Sequence, residues 1–368
     1  MKTILFNILM FGFFYVNAQI NKQPENESEN LSIIKLQKYP NIDFPETTIP
    51  ISGIQIMQML RDSVRIGYVM KGLSRHIATV KPAKDLTEFL QEHVIRMFKK
   101  GFKKEGVKIL WVIKEFRLGE KAETMQYSYT RFKTDTYISR DGNLFKKVCS
   151  IDTVFVAEYG IEISIGYGAN IEKGFKEILK RTLLYGNDVL EQSSDTMTIA
   201  QIANESKFQL DPILTDQVYK EGAYKNFDEF LQNKPSITDY ELIIKDDKSV
   251  SFLTVGQDNE KHSLEVWGVC KNGEISKYHS NLLISIKKLG NGFIISDYVE
   301  KVTKRNGKIF NSGMLGSALG GIAGALITLD AINSAEKIMS VNSYAYIEDS
   351  AKKPDATCID MKTGEFSF

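Results

Sequence analysis

The chain is poor in the residues that build metal and thiol centres: its 368 residues include four histidines and three cysteines. Zinc-type sites gather several such ligands at short spacing. Here Cys149, Cys270 and Cys358 lie far apart and no Cys-x-x-Cys or Cys/His spacing occurs, so no metal or cofactor is assigned. The odd count allows at most one internal disulfide. Arginine is scarce as well, nine against 38 lysines. That works against bidentate phosphate or carboxylate recognition, for which the planar guanidinium is the suited group. Neither sign of charge is in excess: 47 basic and 46 acidic side chains leave +1, which rules out a global polybasic reading, so nothing points to nucleic acid as the main partner. The apolar runs also fall short of the roughly 20 residues that a membrane helix needs.

What is present begins with an address. Residues 1–18 read MKTILFNILMFGFFYVNA: Lys2, then an apolar run from Ile4 to Val16 broken only by Asn7, then Val16-Asn17-Ala18. This is the pattern of a cleaved secretory signal, with an uncleaved anchor as the alternative. It predicts export, to the periplasm or an outer-membrane association. Cleavage before Gln19 removes Lys2 and leaves 46 basic against 46 acidic residues. No cysteine stands near the cut, so it is not a lipoprotein signal. Residues 19–44 are polar at first and read as a mobile segment.

A first domain is expected over 45–186. Val64–Met70 and His76–Val80 read as paired strands through Gly72. Asp85-Leu86-Thr87-Glu88 resembles a capping box, and Leu86, Phe89, Leu90, His93, Val94, Met97 and Phe98 then recur at helical spacing until Gly101. His93 on that stripe reads as a packed core histidine. Strands follow from Val107 to Leu118, from Tyr127 to Ser139 and, after the Asp141-Gly142-Asn143 turn, from Leu144 to Ala157. A second helix spans about 170–185, with Phe175, Ile178, Leu179, Thr182 and Leu183 inward and Gly186 as its stop. Gly166-Tyr167-Gly168-Ala169-Asn170, just before it, reads as a turn with a cap. The order β-β-α-β-β-β-α is an α+β sandwich.

The hairpin DSVRIGYV, the helix DLTEFLQEHVIRMFKKGF, the strand VKILWVIKEFRLGE and the closing helix together resemble the small YajG-type envelope lipoproteins. Their fold is shared with auxiliary components of envelope transport systems. The chain lacks their lipid-carrying cysteine. The resemblance implies a non-enzymatic envelope protein and carries over no catalytic residue.

Polar residues 187–210 read as a linker. A second domain, antiparallel β, is expected over 211–310 plus 341–368. It opens with Gly222–Leu231, where Asn226 caps a short helix pinned by Phe227, Phe230 and Leu231 and closed by Pro235. This Tyr-Lys-x-Phe-x-Glu-Phe segment with Asn-Lys-Pro after it resembles segments of uncharacterised secreted bacterial proteins. Six strands follow as one meander: 240–245, 250–255, 264–270, 274–279, 282–289 and 293–302. Cys270 and His279 are out of register across the Asn272-Gly273 turn, and with His262 they make a poor thiol site.

Residues 311–340 hold a glycine zipper. Gly316, Gly320 and Gly324 repeat every four residues, beside Gly313, Ser317, Gly321 and Ala325. On a helix these rows let another backbone approach closely, yet in water each glycine opposes helix formation by about 1 kcal/mol. Lipid, another copy or the folded domain must shelter the segment, as one helix or as a hairpin. Met314 to Leu329 would span about 24 Å as helix, short of the roughly 30 Å hydrocarbon core. The reading is therefore a non-enzymatic, exported envelope protein that meets a membrane, a second copy or an envelope partner through this zipper. The alternative is a secreted hydrolase using Asp228 and Glu229 or Glu265, although adjacent carboxylates on a helix point apart.

Overall fold

The computed structural model of the chain describes residues 31–34, 49–61, 65–71, 75–122, 125–159, 166–192, 195–245, 249–255, 260–319 and 353–368. The signal segment 1–18, most of 19–44 and residues 320–352, which include most of the expected zipper, lie outside them. Strand (45%) outweighs helix (27%), so sheets carry most of the α+β core.

The first half runs β1 (Leu31–Ile34), β2 (Ile51–Gln58), β3 (Gly67–Lys71), β4 (His76–Pro82), α1 (Leu86–Phe98), β5 (Val107–Ala122), β6 (Gln126–Ser139), β7 (Leu144–Tyr159) and α2 (Gly166–Gln192), then β8 (Met197–Thr198) and α3 (Ile199–Glu205). These strands form one sheet in the order β1-β4-β3-β5-β6-β7-β8. The free edge of β5 takes β2 in parallel, Ile51 opposite Val107 through Gln58 opposite Ile113. Beyond β2 the same edge meets β3 at Gly67 opposite Leu118. Gly67 is obligatory there: its φ is +142°, and a Cβ would stand 1.8 Å from the Leu118 carbonyl oxygen. Three strands of this sheet, β1, β2 and β8, are not announced by the sequence. β1 draws 31–34 out of the segment read as mobile and pairs it with β4.

One face of this sheet is covered by α1 and α2. Asp85 accepts the Glu88 N–H at 3.1 Å and starts α1, whose buried stripe is Leu86, Phe89, Leu90, His93, Val94, Met97 and Phe98. Phe175 of α2 stacks on Trp111 of β5 at 5.5 Å and lies 5.6 Å from the His93 ring, so both helices and the central strand meet at one aromatic cluster. α2 passes through Gly186 instead of ending there. That glycine marks a close approach, since a Cβ would come within 3.1 Å of Ile138. The expected linker is also shorter than 187–210. α2 reaches Gln192, and Thr198 with Gln201 forms a capping box that starts α3, pinned by buried Ile202.

The second half comprises α4 (Pro212–Thr215), β9 (Gly222–Tyr224), α5 (Phe227–Leu231), β10 (Glu241–Ile244), β11 (Val250–Val255), β12 (Lys261–Ser263), β13 (Gly268–Lys271), β14 (Glu274–His279), β15 (Leu282–Leu289), β16 (Gly292–Ile295), α6 (Tyr298–Leu319), β17 (Cys358–Ile359) and β18 (Phe366–Ser367). The single meander becomes two sheets, β10-β11-β12 and the seven-stranded β18-β17-β16-β15-β14-β13-β9. The chain changes sheet between Leu264, whose N–H bonds Phe252, and Trp267, whose N–H bonds Tyr224. The last expected strand, 293–302, stops at Ile295. Tyr298 and Val302, both buried, are four residues apart on the inner face of α6.

Across the expected domain boundary one apolar cluster is shared. Tyr68, Met70, Tyr127 and Tyr129 of the first half pack with Tyr298, Phe366 and Phe368 of the second. Gly313, Gly316 and Ser317 belong to the last turns of α6. Gly320, Gly321, Gly324 and Ala325 lie outside the described residues. Among the described residues no helix is long and apolar enough to cross a membrane.

Candidate functional site

In β5, β6 and β7 one row of side chains faces α1 and α2, and the alternate row faces the other way. That second face changes character along its length. At one end Leu110, Val112, Tyr137 and Phe145 pack beneath Ile202 of α3. At the other, Tyr127, Tyr129 and Val154 pack into the shared cluster. Between these apolar ends the same face carries Lys114, Glu115 and Arg117 on β5, Arg131, Lys133 and Asp135 on β6, and Lys147, Ser150 and Asp152 on β7. This charged strip floors a cleft of about 790 Å³. Its walls come from the α3–α4 loop (Lys207, Phe208, Asp211), from the β15–β16 turn and from the chain ending in β17 and β18.

The floor is an ordered set of ion pairs. Asp135 receives Lys114 at 2.6 Å and Lys147 at 3.1 Å on one oxygen, and Ser150 Oγ at 2.6 Å on the other. Burial alone would raise its pKa, but these donors prevail and hold it below the usual carboxylate value. Asp152 takes a two-point contact from Arg131, at 3.1 and 3.0 Å, with Lys133 at 3.6 Å. Arg131 is nearly buried and donates also to Ser367 Oγ at 2.9 Å, with Asp360 at 3.7 Å. It therefore ties the floor to the terminal strand. At the mouth the Arg61 guanidinium lies 5.2 Å over the Phe208 ring and 3.8 Å from Asp211. Cys358, also in the lining, has its thiol pushed up by burial.

No family model matches the chain. No curated protein matches its sequence. Among solved structures, the crystal structure of a Xanthomonas campestris protein of the DUF330 family matches 44% of this chain and 99% of its own, at 13% identity and a TM-score of 0.31.

The sequence-based candidates do not gather at this cleft. Glu229 on α5 accepts the N–H groups of Lys225 and Ser236, at 2.8 and 3.1 Å, and so fixes a loop. Neither Asp228 nor exposed Glu265 lines the cleft. Cys270 pairs with Ile275 and His279 with Leu282, and burial pushes the Cys270 thiol up to about 11. His93 is fully buried, and desolvation brings it down to about 4. The glycine-rich start of α2 serves packing: Asn170 Nδ2 donates to Ser128 O and Oγ at 3.1 and 2.9 Å. The floor residues were missed, though their signal is in the sequence. Arg131, Lys133 and Asp135 alternate with Thr130, Phe132 and Thr134, and the same two-residue period runs through Lys147–Asp152 with one bulge.

Proposed function

We propose that the protein is an exported, non-enzymatic component of the cell envelope that binds a partner through the charged cleft. The glycine-rich segment continuing from α6 would attach or assemble it. The observation that carries this reading is the state of the cleft's ionisable groups. Asp135 and Asp152 are engaged by two cations each, and the Cys358 thiol is held protonated by burial. A general base or nucleophile needs a pKa near the working pH and a proton within reach. Asp135, held below the usual carboxylate value, supplies neither, and the ion pairs of the floor present fixed charge to a binding partner. The signal-like residues 1–18 supply the export half of the proposal, and the glycine rows at 313–325 supply the attachment half. The likeness of the first half to YajG-type envelope lipoproteins agrees by analogy alone.

Crosslinking in intact cells followed by co-purification tests the binding half. An envelope protein captured by the wild type, and lost when Asp152 and Arg131 are exchanged for neutral residues, is the expected result. Fractionation tests the attachment half: carbonate-resistant sedimentation or a defined oligomer on sizing is expected. Complete release as a monomer, with no crosslinked partner, would refute the proposal.

A further inference from the structure

The geometry points to a phosphate-ester site on the cleft floor, centred on Lys133 and Lys147; this rests on reading the cleft as a binding site. The argument starts from which cations can move. Asp135 keeps Lys114 at 2.6 Å and Ser150 at 2.6 Å if Lys147 turns away. Asp152 keeps both Arg131 bonds if Lys133 turns away. Each carboxylate therefore has one close partner and one spare. The spare ones, Lys133 at 3.6 Å and Lys147 at 3.1 Å, are 29% and 47% exposed, open enough to reach a ligand. Recruiting them leaves no carboxylate without a counter-ion, so the usual penalty for breaking a buried pair is avoided.

The charge count selects the sign and valence of the ligand. The lining holds nine basic and six acidic side chains, an excess of three cations. Lys207 and Lys362 at the mouth make no ion pair among the described residues. A cleft with surplus charge and apolar walls concentrates counter-ions inside it. A surplus above one favours a multiply charged anion over a single carboxylate. Mobile ammonium groups also suit a phosphate as point charges. Size selects the rest. A volume of 790 Å³ belongs to pockets that hold whole small molecules, so inorganic phosphate would leave most of it empty. Met59 and Phe208, both half-buried, offer an apolar wall for an attached body.

Titration calorimetry and thermal unfolding of the full chain with glycerol 3-phosphate test a soluble source of the ester. Co-sedimentation with phosphatidylglycerol-containing vesicles, against phosphatidylcholine alone, tests a lipid headgroup. Binding in either arm is expected, weakening as salt rises. The Lys133→Gln/Lys147→Gln variant is expected to lose about tenfold for each lysine, with an unchanged melting temperature. If that variant does not fold, Lys207→Gln/Lys362→Gln at the exposed mouth is expected to weaken binding several-fold. Binding in neither arm, or full binding by the variant that folds, overturns the site. Cellular crosslinking of a partner would survive that outcome, so the two proposals fail separately.

Discussion

Glu120 of β5 shows what this fold does with a carboxyl group it cannot pair. The residue is 4% exposed. One oxygen accepts the Met70 N–H at 2.5 Å, and the other has no hydrogen-bond partner among the described residues. Desolvation outweighs that single bond and pushes its pKa up to about 8. The folded chain therefore holds a proton that the unfolded chain releases near pH 4.5. The associated stability is fully present below pH 4.5 and is lost as pH rises toward 8, by about 1.4 kcal/mol for each pH unit in that window. Glu120→Gln keeps the shape and removes the titration. Urea unfolding should find this variant more stable than wild type at pH 8 and equal to it near pH 4.5; a constant difference across the range would contradict the assignment. Asp355 is treated in the opposite way. It is 1% exposed in its side chain and meets Arg305 of α6 at 2.7 Å, with Lys121 at 3.9 Å. Asp355→Ala takes the carboxylate from this buried cluster, while Lys121 keeps its bond to the Lys353 carbonyl, so a loss of about 3 kcal/mol in the same assay is expected.

Among the elements, α2 lies so close to the sheet that Gly174 has no room for a side chain. A Cβ there would meet the Phe132 ring at 2.5 and 2.7 Å and Phe155 at 3.2 Å, and Phe132 is fully buried in the helix-side core. Two effects compete in Gly174→Ala. Helix propensity gains about 1 kcal/mol, while overpacking a closed core costs about 1–3 kcal/mol. The ring cannot swing into solvent, so a net loss of about 1 kcal/mol is expected from chemical denaturation. A more stable variant would mean that the layers separate easily. The stripe of α1 and the strands of β5 to β7 were legible because each repeats its own period against one neighbour. Gly174 and Gly186 were not legible, because what they touch lies on strands far away in the chain, Phe132 and Phe155 for one and Ile138 for the other. The cleft was hidden for a related reason. Arg131, Lys133 and Asp135 alternate as on any half-exposed strand, and only the fold brings Asp360 and Ser367, from the far end of the chain, over them.

At the scale of the whole molecule, composition divides the chain near residue 187 and packing rejoins it. Phe368 sets its ring 6.0 Å from Tyr129 and against Gly119, where a Cβ would stand 3.0 Å from it. Tyr298 meets Tyr68 at 5.1 Å, and Asn306 donates to the Arg75 carbonyl at 2.9 Å. Arg131 adds its bond to Ser367. Separating the halves would bare these side chains together, an exposure that makes independent unfolding unfavourable. The two tryptophans report on one half each. Trp111 is fully buried beneath α1 and α2, and Trp267 packs against Phe227 and Phe230 and donates to the Gly364 carbonyl at 3.1 Å. Trp111→Phe and Trp267→Phe each leave one emitter. In each variant the fluorescence midpoint in urea should coincide with the far-ultraviolet dichroism midpoint of that same variant. If Trp267 emission instead changed before the dichroism of the large first sheet, the halves would unfold in turn and the shared cluster would contribute little cohesion.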